Sequence, residues 1–206
     1  MTAIVDYGVG NLFSLRSSFG AIGEEAVVTS DPAEIEKADR IILPGVGAFA
    51  DAMEKLRSSG LDEVLRRATE KGTPILGICL GMQLLFEKSY EYGEHKGLGL
   101  IQGEVRPIPV SDGLKLPHMG WNALSFGEKK HPLFRYLQEG DYVYFVHSYA
   151  AVGCDPSVIA RTEYGGAVTA AVAKRNVLGC QFHPEKSGAL GLRILKAFCE
   201  IKEGEL

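Results

Sequence analysis

The chain has 206 residues, 46% of them hydrophobic and 23% charged, and a formal net charge of −4. These proportions belong to a globular chain with a sizeable core, and the slight acidity leaves no electrostatic footprint for nucleic acid. No apolar run reaches membrane-spanning length, MTAIVDYG lacks the basic start of a signal peptide, and the four cysteines match neither a zinc pattern nor a CxxC pair, so a cytoplasmic protein with free thiols and no metal or cofactor is expected.

In chain order, Thr2–Asp6 reads as an apolar strand ending in the glycine loop Gly8-Val9-Gly10. Asn11 is placed to cap a helix with Leu12, Leu15 and Phe19 on one face. Ala26–Thr29 is a second strand. Asp31-Pro32-Ala33-Glu34 is a helix start, with a capping aspartate, proline at the first helical position and glutamate at the third. Arg40–Leu43 is a third strand, followed at once by Pro44-Gly45-Val46-Gly47. Helical periodicity covers Phe49–Arg57 and Leu61–Glu70, and Pro74–Ile78 is a fourth apolar strand. Short, continuously apolar strands alternating with helices predict a parallel sheet covered on both faces.

From about Gly103 the pattern changes to strand after strand: Met119–Ser125, Asp141–His147, Val158–Arg161, Ala167–Ala173 and Val177–Phe182. Antiparallel additions to the same sheet are expected there, and Ala189–Cys199 closes the chain as an amphipathic helix. The fold class is therefore α/β, an open, mostly parallel twisted sheet with helices on both faces and antiparallel strands in the C-terminal half. Without a linker or repeat, residues 1–206 read as one domain.

The segment Gly77-Ile78-Cys79-Leu80-Gly81 lies where the fourth strand gives way to a helix. A sharp strand-to-helix turn leaves its central residue protruding, and small residues two before and two after it avoid clashes, as in a nucleophile elbow with cysteine in place of serine. A thiol there sits at a helix N-terminus, and the amide of Leu80 faces a developing oxyanion. A free cysteine is more commonly a small buried hydrophobe, and Cys154, Cys180 and Cys199 are read that way.

A thiol nucleophile needs a base, and the base an orienting group. His183 ends an apolar strand, with Glu185 two residues on and stiff Pro184 between, so an extended link puts both side chains on one side. The glycines around Val46 and Gly47 let backbone amides complete an oxyanion hole. Gln83, Glu87 and Glu91 continue from Cys79 at steps of four, a polar stripe if the helix runs that far, with Glu87 read as merely solvated.

Gly77–Gly81 with Met82-Gln83, together with His183-Pro184-Glu185, resembles the class I (triad) glutamine amidotransferases. VDYGVGNLFSL, LPGVGAF, LPHMGWN, YFVHSY and FHPEKS are similar to the glutaminase subunits of imidazole glycerol phosphate synthases. Many amidotransferases of the class carry a second glycine after Pro-Gly, where this chain has Val46. The resemblance implies that Cys79 forms a glutamyl thioester, that His183 is base and then acid, and that Glu185 orients it. It also implies oxyanion donors at Val46, Gly47 and Leu80. Gly47, Gln83, Glu91, Ser148 and Tyr149 are then the glutamine-holding residues. The implied partner is a (β/α)8-barrel cyclase in a heterodimer, met by Asn11, Trp121, Tyr144 and Lys186, although Trp121 also fits simple core packing. A glutaminase serving another synthase, a thiol hydrolase or peptidase, and a non-catalytic module on the same fold are the competing readings.

Overall fold

The computed structural model describes residues 1–109 and 113–205. Its elements in order are β1 (Thr2–Val5), α1 (Leu12–Ala21), β2 (Ala26–Thr29), α2 (Pro32–Lys37), β3 (Arg40–Leu43), α3 (Phe49–Ser58), α4 (Leu61–Glu70), β4 (Ile75–Ile78), α5 (Leu80–Leu84), β5 (Phe86–Ser89), β6 (His95–Lys96), β7 (Ile101–Pro107), β8 (His118–Ala123), β9 (Ser125–Phe126), β10 (Tyr142–His147), β11 (Tyr149–Val152), β12 (Val158–Glu163), β13 (Ala167–Lys174), β14 (Val177–Cys180) and α6 (Gly188–Glu200). The main sheet runs β2-β1-β3-β4-β14-β13-β12-β9. From β2 to β14 its neighbours are parallel, and from β14 to β9 they are antiparallel.

Strand alternation sorts the apolar residues into two cores. Val5, Leu43 and Ile75 face α3 and α4 through Met53, Leu56 and Leu65, whereas Ile4, Ile42, Leu76 and Leu178 face α1 and α6 through Phe19, Leu195 and Phe198. Each of these fully buried side chains contributes about 1.5–3 kcal/mol from leaving water, which is why four-residue strands suffice. The helix starts are capped as the sequence predicts: Asp31 accepts from the Ala33 amide at 2.9 Å, and Asn11 from that of Ser14 at 3.4 Å.

The structure corrects three expectations. The later strands do not all join one sheet: β8 pairs with β10 as a separate two-stranded sheet, and β11-β7-β5-β6 forms another. β14 is parallel to β4, because a chain returning between β4 and β13 runs with one neighbour and against the other. The helix after the elbow stops at Leu84. Long-range partners take the carbonyls it would need: Leu84 O accepts from the Leu98 amide at 2.8 Å, and Leu85 O from those of Leu100 and Ile101 at 2.9 and 3.0 Å. The stripe of four therefore breaks after Gln83, and Glu87 lies on β5, where it accepts from the Gly103 amide at 2.9 Å.

Candidate active site

The parallel pairing of β4 with β14 sets Ile78 opposite Cys180, so both chains leave the sheet side by side at its carboxyl edge. That edge is where open α/β sheets place their ligands. Cys79 follows β4, its amide donating to Cys180 O at 2.8 Å, and it precedes α5 with φ 54° and ψ −113°. A non-glycine residue in that region carries strain that the surroundings must hold. The flanking glycines do so by close approach. A Cβ on Gly77 would meet Gly81 O at 2.7 Å, and one on Gly81 would meet Leu43 O at 1.9 Å.

Three residues past β14 stands His183, held by its amide to Tyr144 O at 2.9 Å and by Ser187 Oγ to its carbonyl at 2.7 Å. Its Nδ1 donates to Glu185 Oε1 at 2.8 Å, and both side chains are buried. The geometry of this contact differs from the extended link expected: Pro184–Lys186 turn as a short 3-10 helix, which folds Glu185 back beneath the ring. Cys79 and His183 line the same cleft. Burial alone pushes His183 down, but the bonds to Cys79 and Glu185 and their negative charges outweigh it and raise it to about 9.

Of the other thiols, Cys154 and Cys180 are buried and Cys199 is half-buried. Burial drives Cys180 far up, raises Cys154, and takes Cys199 to about 11. None is a thiolate at neutral pH, as their reading as small hydrophobes requires.

A cleft of about 420 Å³ opens over Cys79 and His183. Val46, Gly47, Leu80, Gln83, Glu91, Ser148, Tyr149 and Lys186 line it, so every residue that the resemblance assigns to glutamine or the oxyanion is gathered there. Gln83 Nε2 donates to Tyr149 O and to Gln181 Oε1, each at 3.0 Å, which leaves its own carbonyl to face a ligand. Glu91 arrives from the turn after β5, and one of its oxygens caps α3 by accepting from the Phe49 amide at 2.5 Å. The loop over the cleft is pinned at Pro44, whose carbonyl accepts from Tyr7 Oη at 2.7 Å, and becomes exposed at Val46 and Gly47. Among the described residues, no group of three His, Cys, Asp or Glu side chains is placed to hold a metal ion.

Asn11, Trp121 and Tyr144 stand outside the cleft. Trp121 is 53% exposed, which rules out the core-packing alternative, and its ring meets Tyr144 edge to face at 6.0 Å. Sequence reasoning missed Gln181, Val146 and His147. Gln181 is fully buried with Nε2 3.8 Å from Cys79 Sγ, and Val146 O lies 3.8 Å from the same sulfur. The only signal for Gln181 was its position two residues before His183, whereas Val146 and His147 lie within YFVHSY, where only Tyr144, Ser148 and Tyr149 drew a role.

The family description "Glutamine amidotransferase class-I" matches residues 3–201. A curated relative from Lactococcus lactis subsp. lactis (strain IL1403), "Imidazole glycerol phosphate synthase subunit HisH", is 53% identical over 96% of both chains. One of the same name from Aquifex aeolicus (strain VF5) is 51% identical over 96% of this chain and 95% of its own. This chain belongs to the class-I glutamine amidotransferases and, among them, to the HisH family. Solved class-I structures share the fold at lower identity. "Crystal structure of glutamine amidotransferase" superposes with a TM-score of 0.75 at 20% identity, covering 96% of this chain and 97% of that one. "Structure of PurLQS from Thermotoga maritima" does so at 0.71 and 21%, covering 96% of each. The HisH relatives therefore carry the family assignment, and the solved amidotransferases carry the fold.

Proposed function

We propose that residues 1–206 act as one glutaminase domain that supplies ammonia to a cyclase subunit of imidazole glycerol phosphate synthase. Cys79 Sγ attacks the side-chain amide carbon of glutamine while its proton resides on His183, whose raised pKa suits it to hold that proton at neutral pH. The carbonyl becomes a tetrahedral oxyanion facing the amides of Leu80 and of Val46 or Gly47. His183 gives its proton to the departing nitrogen, and ammonia leaves as the glutamyl thioester forms. Water, deprotonated by His183, then attacks the thioester carbon; the C–S bond breaks, the thiol regains its proton and glutamate is released. Glu185 keeps the Nδ1 proton in place throughout, so that the other ring nitrogen serves Cys79. Gln83, Glu91, Ser148 and Tyr149 hold the amino-acid end of the substrate.

The ammonia goes to a (β/α)8-barrel cyclase that makes imidazole glycerol phosphate and AICAR in histidine biosynthesis. The names of the HisH relatives support that partner. So does the exposed Met119 and Trp121 pair on β8, at 59% and 53% exposure, an apolar face beside the cleft. Asn11, Tyr144 and Lys186 complete this surface. Docking there aligns the Val46 peptide, and losing a single oxyanion donor costs about 10²–10³ in turnover, so the subunit alone is nearly idle.

The observation that carries the reading is the meeting of the strained Cys79 elbow with the buried His183–Glu185 pair in one cleft. It is tested by mixing the chain with the cyclase, glutamine and the phosphoribulosyl substrate. Glutamate and imidazole glycerol phosphate should appear in equal amounts, and glutamate formation should drop when the cyclase is left out. Equal glutamate rates with and without the cyclase would refute the coupling, and no glutamate in the complete mixture would refute the glutaminase.

A further inference from the structure

Behind the cleft wall, β8 and β10 pair two histidines across the ladder, His118 opposite His147. His118 is fully buried and His147 is 6% exposed. Their rings meet nitrogen to nitrogen, His118 Nδ1 to His147 Nε2 at 2.9 Å. The outer nitrogens both face oxygens: His147 Nδ1 meets Tyr149 O at 2.8 Å, and His118 Nε2 meets Asn122 Oδ1 at 2.8 Å. The Asn122 amide is fixed in turn, because its Nδ2 donates to Glu163 O at 3.0 Å. Turning it over would set two oxygens against each other at that distance.

Carbonyl oxygens only accept. Both outer nitrogens must therefore carry protons, which uses the single proton of each neutral ring. Two bare lone pairs would then confront each other at the inner contact, and one more proton between them resolves this.

We infer that His118 and His147 hold three ring protons between them, His118 as the imidazolium and His147 neutral, and that this pair is the positioning element that fixes the Ser148–Tyr149 wall of the cleft. An independent observation favours charge on His118. Its ring is sandwiched between Phe145, centroid 5.0 Å away, and Tyr164, 4.0 Å away, both within 20° of parallel. Two aromatic faces on one ring make a cation site. His147 has no such sandwich. Burial and the neighbouring His118 and His183 take it down to about 4, which keeps it neutral. Burial lowers His118 from its ordinary value even against its bond to Asn122; the charge is argued from the proton count and the two aromatic faces. Tyr149 O thus receives both His147 Nδ1 and Gln83 Nε2, while Ser148 O receives the Ile108 amide at 2.9 Å. The Tyr149 carbonyl is thus held by two donors and the Ser148 carbonyl by a third, and the imidazolium anchors the His147 donor.

The proton count is independent of the proposed glutaminase; only the kinetic arm rests on it. In the full chain labelled with 15N-histidine, nitrogen-detected NMR at pH 7.5 should find protons on both nitrogens of His118 and only on Nδ1 of His147. Two protons over the four nitrogens would overturn the charged pair. In the complex with the cyclase, His118→Phe keeps the ring stack but donates nothing. It should raise KM for glutamine about tenfold and leave kcat within about twofold, the signature of lost ground-state positioning. An unchanged KM, or a loss confined to kcat, would overturn the positioning role. If His118→Phe does not fold, Asn122→Leu takes its place with the same expected split.

Discussion

Glu185 accepts the Nδ1 proton of His183 through one carboxylate oxygen at 2.8 Å, while its other oxygen, Oε2, is buried without a hydrogen-bond partner among the described residues. The His183 ring is therefore the one hydrogen-bond partner this buried carboxylate has among the described residues. Glu185→Gln keeps the shape and removes the charge, so His183 should fall from about 9 toward or below its ordinary value. NMR titration of the labelled ring reads this directly; an unchanged midpoint would show that Glu185 does not set it.

The same pair makes stability depend on pH. The folded value of His183, about 9, lies above the unfolded value of about 6.5. Its stabilisation is therefore complete below pH 6.5 and is lost as pH rises through 9, by an amount on the order of a few kcal/mol. Urea midpoints should fall between pH 6.5 and 9.5 in the wild type and fall less in Glu185→Gln.

His147 acts in the opposite direction. Burial depresses it to about 4, so its contribution is present above pH 6.5 and is lost as pH falls toward 4, costing up to about 3 kcal/mol. Acid unfolding should begin near pH 6, and His147→Gln should flatten that limb of the stability curve.

Cys79 is strained at φ 54° whatever its chemistry. Cys79→Gly should relieve about 1 kcal/mol or more that Cys79→Ala retains, so the glycine variant should melt higher although it deletes more side chain. An alanine variant of equal or higher melting point would contradict a strained elbow. Neither should use glutamine, while ammonium salts should still support synthesis in the complex.

Gly81 has no room for a side chain, since a Cβ there would lie 1.9 Å from Leu43 O. Gly81→Ala must push α5 away from β3, at a cost of at least about 3 kcal/mol. A thermal melt checks it, and a near-neutral substitution would mean that the elbow glycines answer no packing demand.

How much of this was legible in the sequence depends on the range of the interactions. β1 to β4, the caps of α1 and α2, and the elbow are written in local periodicity and in short glycine and proline signals, and they formed nearly where expected. Cys79 and His183 stood out because each ends an apolar strand. The early stop of α5 was not legible, since it is imposed by amides at Leu98, Leu100 and Ile101 that compete for its carbonyls. Nor was the split of the later strands into three sheets, because alternation marks a strand without naming its neighbour. Gln181 gave no motif, and Val146 and His147 lay inside the YFVHSY stretch with no role readable for them; their places beside the sulfur exist only once β14 and β10 lie beside the elbow.

The most direct test of the account is covalent. The chain, in complex with the cyclase, is treated with an electrophilic analogue of glutamine, digested and mapped by mass spectrometry. The account predicts one adduct, on the peptide carrying Cys79, suppressed by excess glutamine and absent in Cys79→Ala. Labelling at Cys154, Cys180 or Cys199, or glutamine hydrolysis surviving in Cys79→Ala, would contradict it.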